Sequence, residues 1–303
     1  MSFLYWLEKI RLPGLNELML AVTTLGEETA FLIIALVIFW CVDKKKGYYV
    51  MAVGFLGTMA NQFLKLLCRV PRPWVVDPNF TILEQAREAA KGYSFPSGHT
   101  QTAVGTFGSL AAMAEKKWWR SLCIVIAVLV GFSRMYIGVH TLSDVLVAAG
   151  MACLLVGLLK KPVLQGGDRE MKRLIVLMSG VALAFLLFVH FWPFPADLDP
   201  HNYESGLKNA YTMMGCLVGV AIVYAADQKL DFPVRAVWWA QLIKVAGGLL
   251  LVLAVKELTR APLELLLGSS LIARSVRYCL LILVAGIVWP LSFHQFSKLG
   301  VKK

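Results

Sequence analysis

The stretch WRSLCIVIAVLVGFSRMYIGVHTLSDVLVAAGMACLLVGLL, residues 119–159, decides the fold. Two apolar runs, 119–138 and 142–159, are each close to the ~20 residues needed to cross a bilayer core as a helix. Polar residues gather where the runs meet: Ser133, Arg134, His140 and Asp144. An arginine just inside the membrane boundary is expensive as a purely structural residue, so it marks a candidate site. His140 and Asp144 are four apart and share a face if the second helix begins near residue 140. A carboxylate beside an imidazole sets its tautomer, holds the ring and stabilises a positive charge.

Outward from this pair, seven more apolar stretches read as spans, near 26–42, 47–67, 98–114, 173–192, 208–226, 236–256 and 277–293. The expectation is an all-α, polytopic membrane bundle of about nine helices. The first span is short unless Leu25 to Glu28 lie at the interface. Composition agrees: 58% of the 303 residues are hydrophobic, 16% are charged and the mean hydropathy is +0.67. Soluble domains run near 45–50% and 25%. The net charge of +11 is not a nucleic-acid signal, because no basic stripe with interleaved aromatics is present.

The positive charge instead sits in loops: Lys44-Lys45-Lys46, Lys116-Lys117 with Arg120, Lys160-Lys161 to Arg173, Lys229 to Arg235, and the tail Lys302-Lys303. Loop 193–207 has no Lys or Arg. The positive-inside rule puts the basic loops and the C-terminus in the cytoplasm and, with nine crossings, the N-terminus outside. The N-terminal MSFLYWLEKIRLPGL lacks a signal-peptide pattern and reads as an interfacial helix. Residues 261–276 are amphipathic and read as lying along the outer interface, with Arg274 and Arg277 in water. The six cysteines are dispersed singly, with no CxxC pair, which argues against a metal or disulfide framework. Every unusual polar motif precedes residue 145, which divides the chain into a core, 1–162, and a four-helix extension, 163–303.

Two further clusters fall on the same face as His140. Lys65, Arg69 and Arg72 end the second span, where Pro71 and Pro73 stop the helix. Ser97-Gly98-His99 opens the third span, with Ser97 as N-cap and Gly98 permitting close approach of a ligand. A helix start of this kind is an anion site. Three cations, two histidines, a helix N-terminus and one carboxylate suit phosphoryl transfer, which is accelerated by positioning and charge stabilisation. One histidine can attack phosphorus while the other protonates the leaving oxygen. No Asp/Glu cluster of magnesium-binding geometry occurs on that face, which favours chemistry without a metal or other cofactor.

At these residues the chain resembles the type 2 phosphatidic acid phosphatase (PAP2) superfamily. Lys65 to Arg72-Pro73, Pro96-Ser97-Gly98-His99, and Ser133-Arg134 to His140 and Asp144 match that family's three motifs in order and spacing. The resemblance implies that His140 forms a phosphohistidine, oriented by Asp144, and that His99 protonates the leaving group. It implies that Lys65, Arg72, Ser97, Gly98 and Arg134 hold the phosphoryl oxygens. The span count and orientation look like the glucose-6-phosphatase and sphingosine-1-phosphate phosphatase branches. A membrane lipid phosphate or diphosphate is the expected substrate, hydrolysed on the extracytoplasmic side of a bacterial plasma membrane. A soluble sugar phosphate, or transfer to an acceptor other than water, remains the alternative. Loop 74–95 is expected to cover the site, and Lys244, deep in the extension, to bond a neighbouring helix or face substrate.

Overall fold

The computed structural model describes residues 1–90, 92–230 and 232–299. The basic tail Lys302-Lys303 lies outside the described residues. Fourteen α-helices among them carry the fold, with short 3-10 and π turns between, and no strand occurs among the described residues. In order they are α1 (Ser2–Lys9), α2 (Pro13–Thr24), α3 (Glu28–Cys41), α4 (Lys44–Cys68), α5 (Pro73–Val76), α6 (Gly98–Met113) and α7 (Lys117–Tyr136). Then follow α8 (Leu142–Leu164), α9 (Asp168–Phe191), α10 (Pro200–Asp227), α11 (Trp238–Leu258), α12 (Arg260–Leu267), α13 (Ser270–Leu283) and α14 (Phe293–Lys298).

Length and composition single out fewer helices than the expected nine crossings. Seven helical segments among the described residues are long and apolar enough to span, and an eighth arises if α2 and α3, bent by 50° at their break, count as one. The ninth expected span is α6, only 16 residues long and rich in polar side chains. Its Thr100, Gln101, Thr102, Thr106 and Ser109 are all buried, so α6 faces protein and needs no lipid-compatible surface. Lipid-facing character is clear elsewhere: Leu146, Leu154 and Leu158 on α8, and Val176, Leu177, Leu183 and Leu187 on α9, are exposed. A water-soluble surface would not carry such continuous apolar stripes. The chain is an integral membrane protein.

The residues form two compact units. The first comprises Met1–Ile34, Tyr49–Lys161 and Pro193–Gly206. Here α6 packs along α7 through Ala103, Phe107 and Ala111 against Cys123, Ala127 and Val130. Small residues at such a seam let membrane helices approach closely. The second cluster in this unit joins α1 (Leu4, Leu7), α2 (Met19) and the 74–95 loop (Phe80, Ile82, Ala86, Ala90) to Met135–Ile137, Val139 and Val145. That loop therefore rests on the α7–α8 turn, and Leu83 N donates to Ile137 O at 3.1 Å. Gly138 in this turn has φ of +91°, and a Cβ there would sit 2.8 Å from Arg11 Nη2. Only glycine adopts that conformation without strain.

The second unit comprises Ala35–Tyr48, Pro162–Trp192 and Leu207–Lys303, of which residues up to 299 are described apart from 231. Helices α10 and α13 meet backbone to backbone: a Cβ on Gly215 would lie 1.9 Å from Ser275 O, and one on Gly219 2.8 Å from Ile282 Cβ. This is the small-xxx-small contact of membrane helices. Residues 270–283 belong to this packed helix, so the expected surface placement of 261–276 is incorrect for its C-terminal half. Arg277 is 8% exposed, and Arg274 Nε donates to Thr212 Oγ1 at 2.7 Å. Lys244 is fully buried; its ammonium donates to Val234 O at 2.8 Å and lies 4.4 Å from the Phe293 ring centroid. It ties a neighbouring segment to an aromatic cluster, which is the bonding alternative for this residue. On the basic turn, Lys44 pairs with Asp227 at 2.6 Å.

Candidate active site

Helix geometry assembles the three motifs. α4 carries Lys65 one turn from its end, and extended Arg72 precedes Pro73, which starts α5 at its first position. Ser97 caps α6 by accepting from Thr100 N at 3.4 Å and Thr100 Oγ1 at 2.9 Å, as the sequence suggested. α7 ends two residues beyond Arg134, and its Arg134 carbonyl accepts from Val139 N (3.1 Å) and His140 N (3.3 Å), folding the chain back to α8. Thr141 and Asp144 then cap each other: Asp144 N donates to Thr141 Oγ1 at 3.3 Å, and Thr141 N to Asp144 Oδ2 at 2.8 Å.

His140 is 2% exposed and held from both sides. Arg72 Nη1 lies 3.0 Å from its Nε2 and also donates to Val139 O at 2.9 Å. A guanidinium only donates, so Nε2 is the acceptor and Nδ1 carries the hydrogen. On the Nδ1 side, Asp144 Oδ2 stands at 3.4 Å. Ser94 Oγ lies 3.4 Å from Nδ1 and donates to the same carboxylate oxygen at 2.5 Å. Burial, and after it the charges of Arg72, Arg134, Lys65 and His99, push the imidazole well below its ordinary value. It is held neutral, with its lone pair on the nitrogen facing the cations.

The cations are fixed by neighbours from distant sequence. Lys65 Nζ donates to Tyr93 O at 2.7 Å, and Arg72 Nε to Gly92 O at 2.9 Å. Gly92 has φ of +80°, and a Cβ there would press on Asn202, whose Oδ1 accepts from Tyr93 N at 2.9 Å. Arg134 is 2% exposed; its Nη1 donates to Thr23 Oγ1 at 2.7 Å, and its Nε has no partner among the described residues. His99 stands at the start of α6, within electrostatic reach of Arg134, Arg72 and Lys65. Gly26, at the α2–α3 break, backs onto it: a Cβ there would come 2.8 Å from His99 O.

Lys65, Arg72, His99, Arg134, His140 and Asp144 are thus gathered at one end of α4, α6, α7 and α8. Ser97 adjoins them, but its N–H donates to Asp144 O at 3.1 Å and its hydroxyl caps α6. Gly98 has open space on its Cα, with Asn61 Oδ1 the nearest atom to an added Cβ at 3.8 Å. Ser94, Thr23 and Asn202 were missed by sequence reasoning. Ser94 adjoins the second motif, yet it belongs to no periodic pattern, and the other two act across 111 and 109 residues. No group of three or more His, Cys, Asp or Glu arranged to hold a metal ion occurs among the described residues.

Comparison with known proteins identifies the family. Residues 45–164 match the PAP2 superfamily, and residues 211–302 match the PAP2 superfamily phosphatase transmembrane extension. Phosphatidylglycerophosphatase B of Bacillus subtilis is 34% identical over 176 residues, 54% of this chain and 80% of that protein. Undecaprenyl-diphosphatase BcrC of the same organism is 31% identical over 34% of this chain and 51% of that protein. The crystal structure of a PAP2-type phosphatidylglycerolphosphate phosphatase from Bacillus subtilis aligns with 52% of this chain and 81% of its own, at 30% identity and a TM-score of 0.46. With its three motifs gathered around one buried imidazole and a relative matched over four-fifths of its length, this chain belongs to the PAP2 superfamily of membrane phosphatases.

Proposed function

We propose that this protein hydrolyses a lipid phosphate through a phosphohistidine on His140, without a metal, at the extracytoplasmic face. The carrying observation is the clamp on His140: a guanidinium 3.0 Å from Nε2, and a carboxylate 3.4 Å from Nδ1. Nε2 attacks phosphorus as the bond to the leaving oxygen breaks, and His99 gives that oxygen a proton. Nδ1–H stays with Asp144, which stabilises the positive ring formed at this step. Lys65, Arg72 and Arg134 stabilise the charge that builds on the phosphoryl oxygens, in a site with little water to screen it. The dianion also offsets the charges of Arg134, Arg72 and Lys65, which otherwise oppose a proton on His99. Water then attacks the phosphohistidine, His99 takes the proton, and phosphate leaves.

The lipid assignment is supported by the relatives, which include a phosphatidylglycerophosphatase and an undecaprenyl-diphosphatase. Orientation is supported by charge. α4 runs from Lys44-Lys45-Lys46 to Lys65, and α6 from His99 toward Lys116-Lys117. α7 runs from Lys117 to Arg134, and α8 from Asp144 to Lys160-Lys161. Each helix has its site residue at the end away from the basic loop, which the positive-inside rule assigns to the outside.

Phosphate release by the purified protein across phosphatidate, phosphatidylglycerol phosphate and a prenyl diphosphate tests the reading. His140→Ala is expected to abolish turnover of all three. Wild-type protein should carry an acid-labile, base-stable phosphoryl group that the variant lacks. Turnover by His140→Ala, or loss of wild-type activity in EDTA, refutes it. A C-terminal fusion to a fluorescent protein that matures only in the cytoplasm should glow.

A further inference from the structure

Residues 92–94 form a bracket behind the site. Gly92 O accepts from Arg72 Nε at 2.9 Å, Tyr93 O accepts from Lys65 Nζ at 2.7 Å, and Ser94 Oγ donates to Asp144 Oδ2 at 2.5 Å. Consecutive residues thus each hold a different member of the site. The bracket lies outside any helix, so its backbone N–H groups must find partners elsewhere in the chain. Ser94 N donates to Val70 O at 2.7 Å. Tyr93 N donates to Asn202 Oδ1 at 2.9 Å, across 109 residues of sequence. Asn202 is itself well fixed: it sits in the first turn of α10 and is 7% exposed. Asp199, just before that helix, accepts from Asn202 N through Oδ1 at 2.9 Å, and Asp199 N donates to Tyr93 Oη at 3.3 Å. Tyr93 is therefore gripped at both its backbone and its hydroxyl. Gly92 lies flat against the same amide, where a Cβ would overlap Asn202 Oδ1.

We propose that Asn202 is a positioning residue for phosphoryl transfer. Acting through Tyr93 and Gly92, it sets the Lys65 ammonium and the Arg72 guanidinium against the phosphoryl oxygens. The inference rests on the reading that these two cations hold phosphate. An ammonium has three N–H groups, and the one committed to Tyr93 O fixes the directions of the other two. A bracket that drifts takes the ammonium with it, and a misplacement of about 1 Å in a positioning group can cost about a hundredfold in rate. None of the three motifs includes Asn202, which lies beyond the 45–164 match yet in the same compact unit as the site.

The test uses the full chain in detergent. Asn202→Ala and Asn202→Ser are too short to reach Tyr93 N, whereas Asn202→Asp keeps an acceptor at the same length. Two quantities are read: kcat/KM for phosphatidylglycerol phosphate, and the Ki of orthovanadate, an anion that adopts the five-coordinate shape of a phosphoryl group in transfer. The Ala and Ser variants should each lower kcat/KM about tenfold and raise the Ki about tenfold, and the Asp variant should stay within about threefold of wild type on both. A Ki does not depend on how much of a preparation is folded. A purely structural role therefore lowers Tm and total turnover but leaves the Ki unchanged, and that result overturns the proposal. So does a loss in the Asp variant equal to that in the Ala variant, or failure of both truncations to fold. Turnover by His140→Ala, or a wild-type enzyme indifferent to vanadate, would instead overturn the underlying reading of the phosphate site.

Discussion

Ser94→Ala isolates the support of the proposed nucleophile, His140, from His140 itself. The hydroxyl donates to Asp144 Oδ2 at 2.5 Å and stands 3.4 Å from His140 Nδ1, with Ser94 and Asp144 both at most 1% exposed. A buried hydrogen bond to a charged group contributes about 1.5–3 kcal/mol, or roughly ten- to 150-fold at 1.36 kcal/mol per decade. Thr141 N still donates to the same oxygen at 2.8 Å, so the carboxylate is not released altogether. That places the expected fall in kcat/KM near the lower bound, about tenfold. The change should appear mainly in kcat, because the support matters most once His140 becomes positively charged. Phosphate release from phosphatidylglycerol phosphate at several substrate concentrations separates the two parameters. Ser94→Thr, which keeps the hydroxyl, should recover most of the loss. A Ser94→Ala rate within twofold of wild type, with His140→Ala inactive, refutes the argument that Ser94 helps hold the Asp144–His140 pair.

Three further outcomes are expected. Thr23→Val removes the partner of Arg134 Nη1 in a buried setting and should lower kcat/KM about tenfold, while Thr23→Ser should not; equal effects of the two would refute it. Gly138→Ala forces a Cβ into a φ of +91° beside the pinned Arg11 guanidinium and should cost about 1–3 kcal/mol, read as a lower Tm in detergent. His140 is neutral when folded, whereas the unfolded chain takes up its proton as pH falls through the ordinary value of 6.5. Stability from this group is therefore intact above pH 6.5 and declines below it, as far as its depressed folded value. Wild-type Tm should fall more than that of His140→Asn between pH 7 and 5; parallel curves would refute this.

Sequence carried the site's local half. Lys65, Arg72, His99, Arg134, His140 and Asp144 occupy short motifs beside hydropathy boundaries, and both signals survive in a linear string. The Ser97 cap and the Thr141–Asp144 turn are likewise contacts over three residues. What was hidden depends on pairings that leave no local pattern. Thr23 is one threonine in an apolar run until α2 lies against α7, where its hydroxyl meets Arg134. Arg277 looked solvated because its neighbours alternate, yet Gly215 and Gly219 bring α10 onto that helix and bury it. The span count differs for a related reason. Hydropathy measures compatibility with lipid, and α6 is enclosed by protein along its polar side.

Asn202 has a bearing on what can be cut away. It belongs to Pro193–Gly206, a segment beyond the 45–164 match, yet it grips Tyr93 N, whose own carbonyl holds Lys65. Gly206 in the same segment lies close enough to Leu66 that a Cβ would come within 2.7 Å of it. A gene trimmed to residues 45–164 would keep all three motifs and still lose the brace behind the Lys65 ammonium. The compact unit that holds the three motifs is therefore discontinuous in sequence. Transplanting its activity onto a shorter scaffold requires a substitute for that strap as well as the motifs.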